Sequence, residues 1–278
     1  MHRLLILLLA ACAAPTPQDS APPKTPEKQE LKAPFTFALY GDCRGGHSVH
    51  EKICAQLLKS DAKFVLQTGD IVADGSQKDQ WDRVREITKP LREKIPYHPA
   101  KGNHDLGKER YFETEFGLES SSYTVRQGPV DFFFIDSNRL NDEQIAWLKE
   151  KLAASTAAHK VAVFHHPCFT LVAKRYSSAK LFKDKVHALF VESKLCAVFN
   201  GHDHLFYSTV RDGLRYITTG GAGAPLYDLD EKLAEKGDLY GKFHHYLLID
   251  VQEKSMAAQV HDLDGKKKDG FGFPLCKH

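Results

Sequence analysis

Leu195-Cys196-Ala197-Val198-Phe199-Asn200-Gly201-His202-Asp203-His204 is the stretch that decides how this chain is read. Its first five residues are apolar, with β-branched and aromatic members, and predict a short buried strand. Asn200-Gly201 is a turn signal that ends it. Two histidines at i and i+2 then follow on the strand-end loop, a spacing that lets both imidazoles aim at one point or at two adjacent points. Imidazole nitrogen is a good ligand for zinc, iron, manganese or nickel. A pair of surface histidines on a turn needs no ligand, and the motif alone does not separate the two readings.

Working outward, the same arrangement recurs. Residues 35–40 read as a buried strand that runs into Gly41-Asp42-Cys43-Arg44-Gly45-Gly46. Ser48 to Glu51 reads as a capping box opening a helix to about residue 59. A carboxylate and an arginine thus sit on a glycine-rich turn between a strand end and a helix start, a place that favours bound anions. No Gly-Lys-Ser/Thr follows, so it is not a P-loop. Residues 63–67 form a second strand ending at Thr68-Gly69-Asp70, followed by a helix over 77–89. The run 95–100 ends at Gly102-Asn103-His104-Asp105, and the strand 161–164 ends at His165-His166-Pro167. In an α/β sheet such strand ends line one crevice, where sites form.

Between these lie a hairpin (122–126 and 130–136), an amphipathic helix over 141–152 and a helix over 179–191. Strands at 215–219, 243–251 and 256–262 close the chain, and 227–241 reads as a loop or short helix. Strands alternating with helices and ending in antiparallel strands predict a mixed-sheet α/β sandwich, one domain over residues 35–278.

The chain has 278 residues, 42% hydrophobic and 27% charged, which suits a globular domain of this size. Its net charge of +2 gives no bulk attraction to nucleic acid, and no nucleic-acid binding is expected. Residues 1–12 have a basic start and an apolar run ending Leu9-Ala10-Ala11-Cys12, which resembles a lipoprotein-type signal with Cys12 as the lipidated residue. A plain secretory signal cut near Ala14 is the alternative. Residues 13–34 are Pro-rich and read as a disordered tether. The expectation is an exported protein of the bacterial cell envelope, held to the membrane by its lipid anchor only, or secreted if Cys12 is not lipidated. Setting Cys12 aside leaves five of the six cysteines, so at least one thiol is expected to be free.

Taken in order, the strand ends read GD-x-R, GD, GNHD, HHP and GHDH. This series resembles the calcineurin-like metallophosphoesterase superfamily over roughly residues 35–222. Gly201-His202-Asp203-His204, Gly220-Gly221-Ala222-Gly223 and Gln144-x-x-Trp147-Leu148 look like purple (tartrate-resistant) acid phosphatases. The resemblance implies a two-sheet αββα sandwich and two metal ions, Mn, Fe or Zn. Asp42 and His204 would bind the first, Asn103, His165 and His202 the second, and Asp70 both. His166 would stand behind the ligands or face the substrate. His104 would contact the phosphate and act as general acid, Asp105 would orient that loop, and Arg44 would grip a phosphate oxygen or form a structural salt bridge.

The implied activity is hydrolysis of phosphomonoesters, on a small molecule or a phosphoprotein. A phosphodiesterase shares the same core, and a non-catalytic binder of metal or phosphate is the reading from another class. Two positions depart from the family patterns. Arg44 stands where many members carry a histidine ligand, and Ala73 where purple enzymes carry the tyrosine that gives their colour. The first metal is therefore expected to bind more weakly, with water, Asp74 or a substrate oxygen as a substitute ligand, and the protein is expected not to be purple. Cys43 reads as a small buried residue rather than a nucleophile, and His244 and His245 as structural. His47 could touch substrate or lie free on the surface, and Arg110 and Arg175 carry no decisive context.

Overall fold

Phe35, Phe37 and Leu39 face one side of the first strand, and Ala38 and Tyr40 the other, as the two-residue period of a strand requires. In the computed structural model, which describes residues 31–277, this strand is β1 (Phe35–Tyr40). It is followed by α1 (His47–Leu57), β2 (Ala62–Gln67), α2 (Lys78–Arg92), β3 (Tyr97–Pro99) and α3 (Tyr111–Phe116). Then come β4 (Tyr123–Gln127), β5 (Val130–Phe134), α4 (Asp142–Ala154), β6 (His159–Val163), α5 (Tyr176–Glu192) and β7 (Ala197–Asn200). The chain closes with β8 (Phe206–Arg211), β9 (Leu214–Thr219), β10 (Leu239–Gly241), β11 (Tyr246–Val251), β12 (Ser255–His261) and β13 (Lys267–Lys277).

The strands form two mixed sheets, one ordered β13-β12-β11-β1-β2-β3 and the other β10-β8-β9-β7-β6-β5-β4. Their facing sides share one core. Phe37 stacks on Phe64 at 4.9 Å between ring centres and meets Phe132 edge-on at 5.4 Å, and Val161, Val163 and Phe199 complete it from the second sheet. The opposite faces are covered by helices. Ile53, Leu57, Trp81, Val84 and Leu91 of α1 and α2 pack on Ala38, Tyr40 and Val65. Leu148, Leu152, Val186 and Phe190 of α4 and α5 pack on Phe133, Ala162 and Val198. The result is an αββα sandwich, as the sequence predicts. The parallel strands β1, β2, β3 and β5, β6, β7, β9 bring their C-terminal ends to one edge.

Several local readings change. The capping box does not form: α1 starts at His47 behind Gly46, and no side chain caps it. Ser48 already lies inside the first turn, and Glu51 pairs with Arg83 of α2 at 2.5 Å. Residues 243–245 turn before β11 rather than joining it, with the His245 amide donating to Gly221. Strand β13 carries two glycines and Pro274, which argue against a strand, yet it lies at a sheet edge where proline is tolerated. Residues 106–121 contain α3, and 227–241, read as a loop or short helix, contains β10. Leu31 packs against the inter-sheet core, so the chain reaches the domain before β1 begins. The leader and Cys12 lie outside the described residues. Among the described residues no helix is long and apolar enough to cross a membrane.

Candidate metal centre

Each motif residue sits on a strand end. Asp42 follows β1, Asp70 follows β2, Asn103 follows β3, His165 follows β6, and His202 and His204 follow β7. Asp42, Asp70 and His202 hold left-handed backbone angles (φ +60°, +56° and +71°), half of the six non-glycine residues that do so among those described. Side chains rarely adopt this conformation, so the strain gathers where the carboxylates and imidazoles turn inward. Gly69 (φ +98°) precedes Asp70, and a Cβ there would fall 2.7 Å from His165 Nδ1. At Gly220 a Cβ would lie 2.2 Å from the Asp203 carbonyl and 3.0 Å from Asp42 Oδ2, so only glycine lets this backbone pass the centre.

Two groups of ligand atoms result: Asp70, His165 and His202, and Asp42, Asp70 and His204. In the first, His165 Nδ1 donates to the Thr68 carbonyl at 2.9 Å, which turns Nε2 inward. That nitrogen lies 3.2 Å from Asn103 Oδ1, 3.3 Å from Asp70 Oδ1 and 3.1 Å from His202 Nδ1. Four atoms of metal-ligand type thus converge on one place. Burial favours a neutral His165, but the Asp70 and Asp42 carboxylates raise its pKa to about 9. In turn His165 and the His104 amide, at 2.9 Å, hold Asp70 well below the carboxylate range although burial opposes this. Burial and the charge of His165 keep His202 neutral.

In the second group, His204 Nδ1 donates to the Pro225 carbonyl at 2.8 Å. Its Nε2 is buried without a hydrogen-bond partner, 3.4 Å from Asp42 Oδ1. An orphaned buried nitrogen facing a carboxylate is costly in an apo protein and suits a metal ligand. Both groups fit metal ions in donor type and in tautomer, the outward nitrogens of His165 and His204 being fixed by carbonyls.

Other predicted residues take defined places. The Asp105 carboxylate is buried and accepts four backbone amides: Asp70 at 2.9 Å, Ile71 at 2.8 Å, Val72 at 3.2 Å and Gly102 at 2.8 Å. It pins the loops after β2 and β3 together through their backbone amides, that of Asp70 included, so it is a positioning residue. His104 Nδ1 donates to the Ala73 carbonyl at 2.8 Å, leaving Nε2 free on a half-buried ring. Arg44 Nε donates to Asp70 Oδ2 at 3.2 Å. Asp74 is engaged by Ser76 and Gln77 in its own turn and does not join the first group.

His166 bonds Ser137 at 2.8 Å and stacks on Phe182. Cys43, Cys54 and Cys168 are buried free thiols, and Cys196 is buried with its Sγ 3.4 Å from His159 Nδ1. Burial, with the charge of Asp105, pushes Cys43 well up, which keeps it protonated and unreactive. His245 is held between Thr219 and the Phe243 carbonyl, and His244 bonds the Gly221 carbonyl.

Arg175 is the functional residue that sequence reasoning passes over. Its guanidinium donates to the His202 carbonyl at 2.7 Å and to the Tyr227 hydroxyl at 3.1 Å, and lies 3.4 Å from the buried Asp203. Tyr227 in turn stacks on His204 at 4.1 Å. Arg175 therefore clamps the whole His202–His204 turn. No pattern in the sequence near residue 175 signals this, because the partners come from two remote segments.

The family model for calcineurin-like phosphoesterases matches residues 35–206. Purple acid phosphatase 5 of Arabidopsis thaliana is 23% identical over 212 residues, covering 73% of this chain and 52% of that protein. Tartrate-resistant acid phosphatase type 5 of Sus scrofa is 22% identical over 288 residues, covering 83% and 84%. The structure of purple acid phosphatase PPD1 from yellow lupin seeds has the same fold, with a TM-score of 0.74 at 14% identity over 88% of this chain and 54% of that one. The chain spans about half the length of these two plant proteins. With the strand-end ligands in the family's order and the model matching well over half of its length, the chain belongs to the calcineurin-like phosphoesterase family.

Proposed function

We propose that this chain is a dinuclear metal-dependent phosphatase that hydrolyses phosphomonoesters. The observation that carries the reading is the convergence of ligand atoms in two adjoining groups that share Asp70, with His204 Nε2 buried and without a hydrogen-bond partner. Asp42, Asp70 and His204 would hold one ion, and Asp70, Asn103, His165 and His202 the other. Bound metal ions supply neutralising charge for the phosphate oxygens and lower the pKa of water toward neutrality.

The chain's own residues do the rest. Arg44 uses Nε on Asp70 and keeps its two terminal nitrogens for phosphate oxygens, a fork suited to that geometry. His104, with Nδ1 fixed on Ala73, presents Nε2 to give a proton to the leaving oxygen. Asp105 and Arg175 keep the loops in register, and the buried walls exclude water behind the ligands.

Similarity to the two acid phosphatases supports the monoester preference. The test is the ratio of specificity constants for p-nitrophenyl phosphate and bis-p-nitrophenyl phosphate with Mn, Zn and Fe/Zn. A monoester preference is expected. A diester preference would favour a phosphodiesterase, and no turnover with any metal a non-catalytic binder. The leader with Leu9-Ala10-Ala11-Cys12 supports export to a bacterial cell envelope on a lipid anchor. Labelling of the expressed protein with a palmitate analogue, lost in Cys12→Ser, tests that.

A further inference from the structure

The loop that carries His104 continues as one wall of a cleft of about 780 Å³. Leu106, Lys108 and Arg110 form this wall, and Ser120, Asn138 and Arg139 stand across it. The two walls are joined just before Asn103 in the chain: Asn138 Nδ2 donates to the Lys101 and Gly102 carbonyls at 3.3 Å. Lys101 and Leu106, which flank the Asn103–His104 turn in the chain, both line the cleft, and it is large enough for a leaving group well beyond a simple alcohol.

Its charges do not balance. Lys101 is matched by Glu113 at 2.8 Å, and buried Asp136 is satisfied by Ser121 and Asn138. Lys108 and Arg139 are exposed and make no ion pair or hydrogen bond through their side chains among the described residues, and Arg110 reaches only a carbonyl, that of Glu119, and the edge of Glu113 at 3.8 Å. Against these three cations the cleft holds two acids without a cationic partner, Glu119 and Asp136, so it keeps a surplus of one positive charge. No aromatic side chain lines it, so it has no surface on which a base would stack.

We propose that this cleft is the leaving-group subsite and selects phosphate esters whose leaving group carries its own anion, a carboxylate or a second phosphate, on an aliphatic, hydroxyl-bearing frame. In the reaction the phosphorus–oxygen ester bond breaks, water supplies the new oxygen on phosphorus, and the leaving oxygen takes a proton from His104. Lys108 and Arg139 meet the distal anion.

The inference rests on the phosphatase reading, and the test separates the two. The metal-loaded full chain is assayed with 3-phosphoglycerate, glycerol 3-phosphate and p-nitrophenyl phosphate, the first two being matched in size. The expected result is a kcat/KM for 3-phosphoglycerate about tenfold or more above that for glycerol 3-phosphate. The Lys108→Gln/Arg139→Gln variant abolishes this preference while turnover of the other two esters stays as in the parent chain. That unchanged turnover also shows the variant to be folded. Equal constants for the matched pair, or a preference that survives the double substitution, overturn the subsite while leaving the phosphatase reading intact. Hydrolysis of none of the three overturns both.

Discussion

Replacing Asp105 with asparagine changes one carboxylate oxygen into an amide nitrogen and nothing else in size. Each Asp105 oxygen accepts two backbone amides, Oδ1 from Ile71 and Val72 and Oδ2 from Asp70 and Gly102. Whichever way the asparagine turns, two buried N–H groups face another donor. A buried unsatisfied group costs roughly 1–3 kcal/mol, so the two together cost about 2–6 kcal/mol. Burial and the charge of Asp70 both push the Asp105 pKa up, so losing the carboxylate relieves some repulsion. The net loss expected is about 2–4 kcal/mol, a large part of the ~5–15 kcal/mol of a typical domain. Urea unfolding of the metal-free Asp105→Asn chain measures it, with Asp74→Asn in an exposed turn as the control. A loss under about 0.5 kcal/mol for Asp105→Asn would refute the reasoning that this carboxylate ties the loops after β2 and β3 together.

Arg175→Ala removes a charged hydrogen bond to the His202 carbonyl and the hold on Tyr227. Affinity for Mn, read by calorimetry, is expected to fall about 10- to 100-fold, and unchanged affinity would contradict the clamp. The fixed charge of Arg44 on Asp70 Oδ2 should leave the Asp42/His204 site the weaker of the two. Titration with Mn is expected to show two steps, the weak one tightening in Arg44→Gln but not in Arg44→Lys, and the iron-loaded chain, with Ala73 in place of a tyrosine, is expected to lack a visible charge-transfer band. For pH, burial, then His47, pushes His50 down to about 3, while burial, partly offset by the Phe243 carbonyl, pushes His245 down to about 4. Both titrate near 6.5 when unfolded, so their contribution is complete above about pH 6.5 and is lost as pH falls toward 4, by up to ~1.4 kcal/mol per unit for each histidine. Urea unfolding of the metal-free chain should show that slope, flattened in His50→Gln, and an identical slope in the two chains would contradict it.

The site was legible in the sequence because its ligands sit at the ends of strands, where an apolar run stops at a glycine and a polar residue follows. Asp42, Asp70, Asn103, His165 and His204 needed no contact map to be found, only that punctuation. The alternation of Phe35, Phe37 and Leu39 with Ala38 and Tyr40 likewise fixes which face of β1 meets the second sheet. What stayed hidden depends on tertiary partners. Arg175 acts on segments about 25 and 50 residues away, and local composition carries no trace of that. Pro274 and two glycines disguise β13, which survives because an edge strand can omit a donor. The capping pattern at Ser48 failed because a local motif predicts a helix start only to within a residue or two. The cleft walls are the loop over 106–110 and the single 3-10 turn Ser137–Arg139, and Asn138 ties the second to residues 101 and 102, a contact between remote segments.

The most direct test of the central claim is hydrolysis of p-nitrophenyl phosphate by residues 31–278, stripped with chelator and reloaded with Mn. The expected result is turnover that is lost on stripping, restored on reloading and abolished in Asp70→Ala, whose carboxylate serves both ligand groups, with His104→Ala retaining bound metal but losing most of the rate. Turnover that persists in the stripped chain or in Asp70→Ala would contradict the account.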